Sequence, residues 1–246
     1  MPLAQDTTAT PSLRERRRAV AVREILETAE RHIVEQGPHA LSLRAVARSL
    51  GMTVQALYHY FSGRDALVTA LITKAYDDLA DAVLAAAEAP RGAGEAALPP
   101  IVVAAEGYRG WALAHPERFQ LIYGAPMRHY EAPTEGSTTL AVRRMSGIFA
   151  RELFAGVDPE RLAGMEAPPL SPEFRHYLTR LPRDGLGALP PAGAALMLSA
   201  WGHLHGLVAL EVFGHTTFLG DHRAEIFRTA MRALHEDVQG RIPPAA

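Results

Sequence analysis

The stretch from Ser42 to Leu67, SLRAVARSLGMTVQALYHYFSGRDAL, constrains the fold of this chain more than any other part of the sequence. Apolar residues recur there at helical spacing, stop at Gly51 and recur again, which predicts two short helices joined by a tight turn. A turn this sharp favours glycine, which tolerates positive φ, and Thr53 can cap the second helix. The predicted inward-facing residues are Leu43, Val46, Ala47, Leu50, Leu57, Tyr60 and Phe61.

The two helices are predicted to cross closely. Ala47 precedes Gly51 by four residues, so only a methyl group lies at the crossing, and a larger side chain would hold the helices apart. This packing is that of a helix-turn-helix, whose second helix enters the major groove of DNA. An ordinary helical hairpin is the alternative, because two helices with a glycine turn are common. The solvent face of the second helix would carry Val54, Gln55, Tyr58 and His59.

The run A-x-x-L-G-M-T-x-x-A-L-Y-x-Y-F-x-x-R-D-A-L resembles the DNA-binding domain of the tetracycline-repressor (TetR) family of bacterial regulators, over about residues 15–70. The resemblance implies that one set of residues holds the phosphate backbone and another faces the bases. The phosphate set is Ser42, Thr53, Tyr58, Tyr60 and Arg64, and the base set is Arg44, Val54, Gln55 and His59. Tyr60 stands where the family most often has His, and it keeps a ring with a hydrogen-bond donor. Arg64 stands where Lys is usual, and it keeps the positive charge.

Charge is distributed along the chain in a way that suits DNA binding at the N-terminal end. The net charge of the whole chain is -2, which by itself argues weakly against a nucleic-acid partner. Residues 1–64, however, carry nine arginines against six acidic residues, whereas the remainder carries 16 basic and 21 acidic residues. The positive end therefore coincides with the predicted helix pair, as an electrostatic footprint for DNA should.

Composition and helix signals together predict an all-α protein. With 246 residues and 48% hydrophobic residues, the chain can bury a sizeable core. We expect a disordered tail over residues 1–12, a helix-turn-helix domain over 13–67 with a connecting helix over 65–89, and a ligand-binding and dimerisation domain over 90–246. Ser12 and Glu15 can form a capping box for a helix to Gln36, and Ser62 is predicted to cap the connecting helix. Arg14, Arg16, Arg17 and Arg18 either follow phosphates or form a solvated helix end.

Further helices are predicted after the connecting helix. They run from Pro99 to His115, from Pro116 to Tyr123, from Ser137 to Gly156, and from Ser171 within a proline-rich stretch that shows no other convincing helix. Residues 194–213 are apolar almost all round and long enough to cross a bilayer. His203, His205 and Glu211 argue against a membrane span, so we interpret this helix as buried against its own core and a partner subunit.

The helix over 194–213 and an amphipathic helix over 223–238 resemble the subunit-contact helices of the same family, which form a four-helix bundle in a dimer. The resemblance implies an interface through Leu204, Leu207, Val208, Glu211, Phe227, Met231 and Leu234. Trp201, His205 and Gly206 also resemble the Trp–His–Gly signature of one class of TetR C-terminal domain.

Chemistry other than DNA and ligand binding has little support in the sequence. The chain has no cysteine, no glycine-rich phosphate loop followed by lysine and no Gly-x-Ser-x-Gly elbow, so we expect no catalytic, cofactor or metal site. Aromatic residues at helical spacing form either core or an apolar cavity. The candidate pocket residues are Trp111, Phe119, Tyr123, Met127, Met145, Phe149 and Trp201, with His205 as a polar anchor.

These observations predict a cytoplasmic repressor that binds a palindromic operator as a homodimer and responds to a small apolar or amphipathic inducer. Met1 to Pro11 lacks the apolar core of a signal peptide, which is the basis for the cytoplasmic location. Arg44 and Gln55 are the residues most suited to bind bases. An activator of the same fold remains open, as does a small-molecule-binding or enzymatic helical protein in which the helix pair is only structural.

Overall fold

A computed structural model describes residues 12–90, 98–124, 130, 135–166 and 169–244 of the chain. All regular structure in these residues is helical, as the sequence predicts. The α-helices are α1 (Leu13–Gln36), α2 (Leu43–Ser49), α3 (Val54–Tyr58), α4 (Arg64–Glu88), α5 (Pro100–Ala114), α6 (Pro116–Tyr123), α7 (Ser137–Leu153), α8 (Pro159–Ala163), α9 (Pro172–Thr179), α10 (Pro191–Val212) and α11 (Arg223–Gly240). Short 3₁₀ turns lie at Pro38–Ala40, Leu186–Ala188 and Thr217–His222.

The described residues fall into two compact units. Unit 1 contains the chain up to Ile72 together with Gly124 and Tyr130, and unit 2 contains Thr73–Tyr123 and the described residues from Glu135 onward. The predicted disordered tail over 1–12 lies outside the described residues except for its last position, Ser12. The domain limits 13–67 and 90–246 remain predictions.

In unit 1 the local signals determine the helix ends. The capping box predicted at the start of α1 is present, because Glu15 N–H donates to Ser12 Oγ and Ser12 N–H donates to the Glu15 carboxylate. α1 buries Ile25, Ala29 and Ile33. Val34, however, is 55% exposed, because its position on the helix turns it away from the buried side. The unit 1 core is completed by Leu41, Leu43, Val46, Ala47, Leu57, Phe61, Leu67, Val68, Leu71 and Ile72.

One predicted cap is wrong. α4 begins at Arg64, so the residue immediately before it is Gly63 and not Ser62. The first helical turn at this end is closed by Leu67 N–H, which donates to the Gly63 carbonyl oxygen.

Unit 2 is organised around α5, which packs against α7, α10 and α11. α5 is buried through Ile101, Val102, Ala105 and Tyr108, and its Gly107 allows an especially close approach to α4. A Cβ at Gly107 would lie 2.6 Å from Ala86 Cβ, which is nearer than two carbon atoms can pack. Glycine is therefore required at this helix crossing.

α10 is the one described helix that is long and apolar enough to cross a bilayer, judged by length and composition alone. It instead supplies much of the unit 2 core. Its Glu211 is also buried and accepts two hydrogen bonds from Arg109 of α5, Nε to Oε2 at 2.7 Å and Nη2 to Oε1 at 2.5 Å. The residues of α10 buried in this unit are Ala192, Gly193, Ala194, Leu196, Met197, Ala200, Leu204, Val208 and Glu211.

The proline-rich stretch from Val157 to Pro191 contains one more helix than the sequence predicts. α9 begins as expected, with Ser171 Oγ accepting from Phe174 N–H. The unpredicted α8 begins at Pro159, and Asp158 Oδ1 accepts from Arg161 N–H. Proline is favourable at the first position of a helix, so an Asp-Pro pair starts a helix here rather than preventing one.

Two glycines of α5 provide a direct test of the close crossing. Gly110→Ala meets open space and should stabilise unit 2 by about 1 kcal/mol through helix propensity. Gly107→Ala carries the same propensity gain but forces α4 and α5 apart, so it should be destabilising by about 1–3 kcal/mol overall. Urea unfolding followed by circular dichroism measures both changes in the free energy of unfolding. Equal changes in the two variants would contradict the close approach of α4 and α5 at Gly107.

Candidate functional site

The helix pair α2–α3 has the close crossing that the sequence predicts. Ala47 is only 1% exposed, and its carbonyl oxygen accepts from Met52 N–H at 2.9 Å, immediately after the turn. Gly51 has φ +64°, which lies in the left-handed region. Leu57 of α3 is completely buried. The inward side of α3 is therefore fixed, and its opposite side is left to solvent.

The outward side of α3 carries the predicted DNA-contacting residues. Gln55, Tyr58 and His59 are exposed, and Val54 is half-buried. Thr53 Oγ1 accepts from Ala56 N–H at 3.1 Å and so caps α3 as predicted. A threonine hydroxyl that accepts in this way still has a hydrogen to donate to a phosphate oxygen.

Five of the predicted contact residues line one open groove on unit 1, which we call the recognition groove. Arg64 is positioned there because its Nε donates to the Leu41 carbonyl oxygen at 3.4 Å. Ser42 precedes α2, and its hydroxyl does not cap that helix. The recognition groove is formed by Leu41, Ser42, Leu43, Arg44, Val54, Tyr58 and Arg64.

A second open groove adjoins the end of α3, and we call it the basic groove. It is formed by Leu13, Arg14, Arg17, Arg18, His59 and Tyr60. Arg18 Nη1 donates to the His59 carbonyl oxygen at 3.1 Å, and the guanidinium lies 5.4 Å from the centre of the Tyr60 ring. Arg18 thus joins α1 to the end of α3, where a cation is favoured by the helix dipole. The sequence left the role of the α1 arginines open; the fold places three of them, Arg14, Arg17 and Arg18, beside predicted DNA contacts.

Unit 2 contains a cavity of about 250 Å³. Tyr123, Met145 and Trp201 line it, as the sequence predicts. The other lining residues are Tyr76, Val142, Ser146, Leu186, Met197 and Leu198, which the sequence prediction missed because they come from four separate segments of the chain. Their convergence is a tertiary property.

Four of the predicted pocket residues do not line this cavity. Phe119 and Phe149 are fully buried in the core. They pack against the Tyr108 ring, at 6.2 and 5.9 Å between ring centres. Trp111 is likewise buried, beside His115. His205 is set back from the cavity, and Met127 lies outside the described residues. An aromatic stripe at helical spacing fills core as readily as it lines a cavity, which is why the pattern could not separate them.

Three tyrosine rings lie between the cavity and His205. The Tyr123 ring lies 5.6 Å from Tyr76 and 6.5 Å from Tyr108 between ring centres, and the Tyr108 hydroxyl lies 2.8 Å from His205 Nδ1. Burial raises the pKa of Tyr76, Tyr108 and Tyr123 and lowers the pKa of His205. All four side chains are therefore neutral at neutral pH, so this cluster is polar but uncharged.

The predicted dimer interface is wrong for most of its residues. Leu204, Val208, Phe227 and Met231 are buried in the core of their own unit, and Glu211 is paired with Arg109. Only Leu207 and Leu234 are partly accessible. α10 is apolar on all sides, so its sequence does not distinguish the side facing its own core from the side facing solvent. The exposed residues of α10 are Leu198, Ser199, Gly202, His203 and Leu210.

A capped helix held outward by a glycine turn, flanked by two arginine-bearing grooves, defines the class of helix-turn-helix DNA-binding proteins. Residues 25–71 match the family model described as bacterial regulatory proteins, tetR family. Residues 101–234 match the model described as tetracyclin repressor-like, C-terminal domain. That description does not mention a Trp–His–Gly class, so the resemblance at Trp201, His205 and Gly206 remains a prediction.

Relatives along most of the chain agree with these matches. The HTH-type transcriptional regulators Rv1816 of Mycobacterium tuberculosis and Mb1846 of Mycobacterium bovis are each 35% identical over 193 residues, which cover 77% of this chain and 80% of theirs. The crystal structure of the regulatory protein SCO4313 aligns with a TM-score of 0.69 and 32% identity, covering 92% of this chain and 98% of that one. The chain therefore belongs to the TetR family of DNA-binding transcriptional regulators.

The left-handed turn at Gly51 can be tested without disturbing any packing, since a Cβ there would meet open space. Gly51→Val should destabilise the helix pair by about 1–2 kcal/mol, the cost of placing a side chain in the left-handed region. Gly51→Asn should cost less, because Asn visits that region more readily. Hydrogen exchange of the α2 and α3 amides measures the local effect. Equal amide protection in the two variants would show that the backbone conformation at residue 51 does not determine the stability of the helix pair.

Proposed function

We propose that this regulator is a ligand-responsive repressor that binds a palindromic operator in the cytoplasm as a homodimer. The observation that carries the proposal is the outward α3, on which Gln55 is exposed, Val54 and Tyr58 line one arginine-bearing groove, and the following His59 lines the other. A symmetric pair of such helices would occupy successive major grooves of DNA, about one helical turn apart. Homodimers and ligand response are typical of the family.

The contact residues divide by their chemistry. Arg44 can bridge the two acceptors of a guanine, and Gln55 can pair with an adenine, so these two residues are assigned to the bases together with Val54 and His59. Residues assigned to the phosphates hold the register of the protein on DNA. They are Ser42, Thr53, Tyr58, Tyr60 and Arg64, to which the structure supports adding Arg14 and Arg17.

The homodimer would form through the exposed side of α10 and α11. Leu210 is 46% exposed, and Phe213 and Ile226 are similarly accessible. Gly202 and Gly206 provide a strip on α10 without side chains, against which a second copy of the helix can pack closely. The predicted pair of helices is kept in this assignment, but the contacting residues are replaced by those on the solvent side.

The unit 2 cavity would hold the inducer. A ligand shifts the equilibrium between two conformations only if it binds one of them more tightly. The inducer must therefore favour the conformation whose paired recognition helices fit the operator poorly. The cavity residues belong to α4, α6, α7, α10 and the 3₁₀ turn at Leu186, so a ligand bound there contacts both a helix that continues into unit 1 and a helix of the proposed interface.

Replacing Gln55 should affect sequence preference. Gln55→Ala should weaken operator binding by about 1–3 kcal/mol and relax discrimination at one base pair, because it removes a base contact and leaves the phosphate contacts in place. Mobility-shift titrations on the operator and on random DNA measure both affinities. Equal losses on the two DNAs would reassign Gln55 to nonspecific contact.

Replacing Arg64 should instead affect all sequences alike. Arg64→Ala should lower affinity for operator and random DNA together and reduce the slope of log K against log salt by about one. Arg23→Ala is the matched control, since Arg23 is exposed on α1 but lines neither groove. An Arg64→Ala slope equal to that of the control would remove Arg64 from the phosphate set.

The subunit contact can be tested with a charge on the exposed side of α10. Leu210→Arg should give monomers in light scattering coupled to size-exclusion chromatography, since it would bury an unpaired charge at the interface. Leu140→Arg is the control, because Leu140 is 57% exposed and belongs to α7, which is not a helix of the proposed interface. Dimers that persist in Leu210→Arg would place the interface elsewhere.

A further inference from the structure

The first two turns of α1 extend beyond the core of unit 1. Residues 13–20 are all exposed, and the first fully buried residue of the helix is Ile25. The capping box at Ser12 keeps this segment helical, but a helix without a packed side has little stability of its own. The contacts that the segment makes with the rest of unit 1 therefore decide where it lies.

Arg18 makes such a contact, and it uses two parts of its guanidinium to do so. The Nη1 atom donates to the His59 carbonyl oxygen at 3.1 Å, and Cζ lies 5.4 Å from the centre of the Tyr60 ring. His59 is the residue at which α3 ends, and the last carbonyl groups of a helix have no partner within it. Arg18 thus supplies from α1 the hydrogen-bond donor and the positive charge that the end of α3 favours.

The two residues that Arg18 holds are both assigned to DNA contacts. α3 has only five residues, so few hydrogen bonds of its own hold its end in place. Side chains that are loose in the free protein must be ordered when DNA binds, and this ordering is subtracted from the free energy of binding. A contact that orders His59 and Tyr60 in advance therefore raises affinity without touching the DNA.

We propose that Arg18 is a positioning residue for operator binding, which acts through Tyr60 and His59 and not by contact with a phosphate. This inference rests on the assignment of those two residues to DNA contacts in the function proposed above. Arg18 precedes residues 25–71, which match the family model, so the match does not imply this role. The contact between α1 and the end of α3 carries it.

The salt dependence of binding separates positioning from phosphate contact. The probe is a DNA duplex selected from a random library by cycles of binding to the wild-type protein. Arg18→Met should weaken binding roughly tenfold, the combined value of one exposed cation–π contact and one hydrogen bond. The slope of log K against log salt should stay equal to that of the control, because no phosphate loses a cation.

Arg23→Met is the matched control. It removes the same charge from an exposed position of α1 that lines neither groove, and it should keep the wild-type affinity. A slope for Arg18→Met that is smaller than the control slope by about one would make Arg18 a phosphate contact and overturn the proposal. Wild-type affinity in Arg18→Met would overturn it as well.

A double-mutant cycle with Tyr60→Leu tests whether Arg18 acts through the ring. In the Tyr60→Leu background, the loss caused by Arg18→Met should fall from roughly tenfold to about threefold, since only the bond to the His59 carbonyl remains. A loss undiminished by Tyr60→Leu would show that Arg18 acts independently of the ring and would overturn the proposal.

The carbonyl bond has its own spectroscopic readout. Labelling histidine carbonyls with ¹³C and tyrosine amides with ¹⁵N selects the three His-Tyr pairs of the sequence, at 59–60, 129–130 and 176–177. Arg18→Met should move the His59 carbonyl signal upfield, because that oxygen loses a hydrogen bond, while the pair in α9 stays in place. An unmoved His59 signal would show that the bond is absent in solution.

Failure of this inference can be distinguished from failure of the proposed function. If no duplex is enriched by the wild-type protein, or if Tyr60→Leu binds the selected duplex as tightly as wild type, the assignment of the DNA contacts is wrong. If Tyr60→Leu weakens binding and Arg18→Met does not, the contacts stand and only the positioning role of Arg18 is overturned.

Discussion

The close crossing of α2 and α3 is the constraint on which the DNA-binding face depends. The Ala47 methyl group and the left-handed Gly51 allow the chain to reverse within a few residues, and the bond from Met52 N–H to the Ala47 carbonyl closes the turn. Burial of Leu57 then fixes the rotation of α3. A short helix has little stability of its own, so its cap and its packing, rather than its propensity, hold Gln55 outward.

Unit 2 shows a different use of burial. Its core contains a hydrogen bond between Tyr108 and His205 and an ion pair between Arg109 and Glu211, so each of these polar groups has a partner within the unit. Buried polar groups without partners would be costly, but a fully paired network is specific in its geometry.

The places where prediction from sequence failed share a physical cause. α10 is apolar on every side, so the periodicity that separates a buried side from an exposed one is missing, and the interface was assigned to core residues such as Leu204 and Val208. In the same way, Phe119 and Phe149 could not be distinguished from cavity residues until their neighbours were known. Hydrophobicity determines that a residue is buried, whereas packing determines what it is buried against.

The sequence by itself determined the helical class, the limits of most helices, the glycine turn and the outward residues of α3. All of these depend on interactions between residues a few positions apart, where spacing in sequence is spacing in space. Only the tertiary structure decided which arginines of α1 lie beside α3, which side of α10 is free, and which residues enclose the cavity. Tyr76, Tyr123, Tyr108 and His205 are far apart in the chain, and only the packing of four helices brings their rings together.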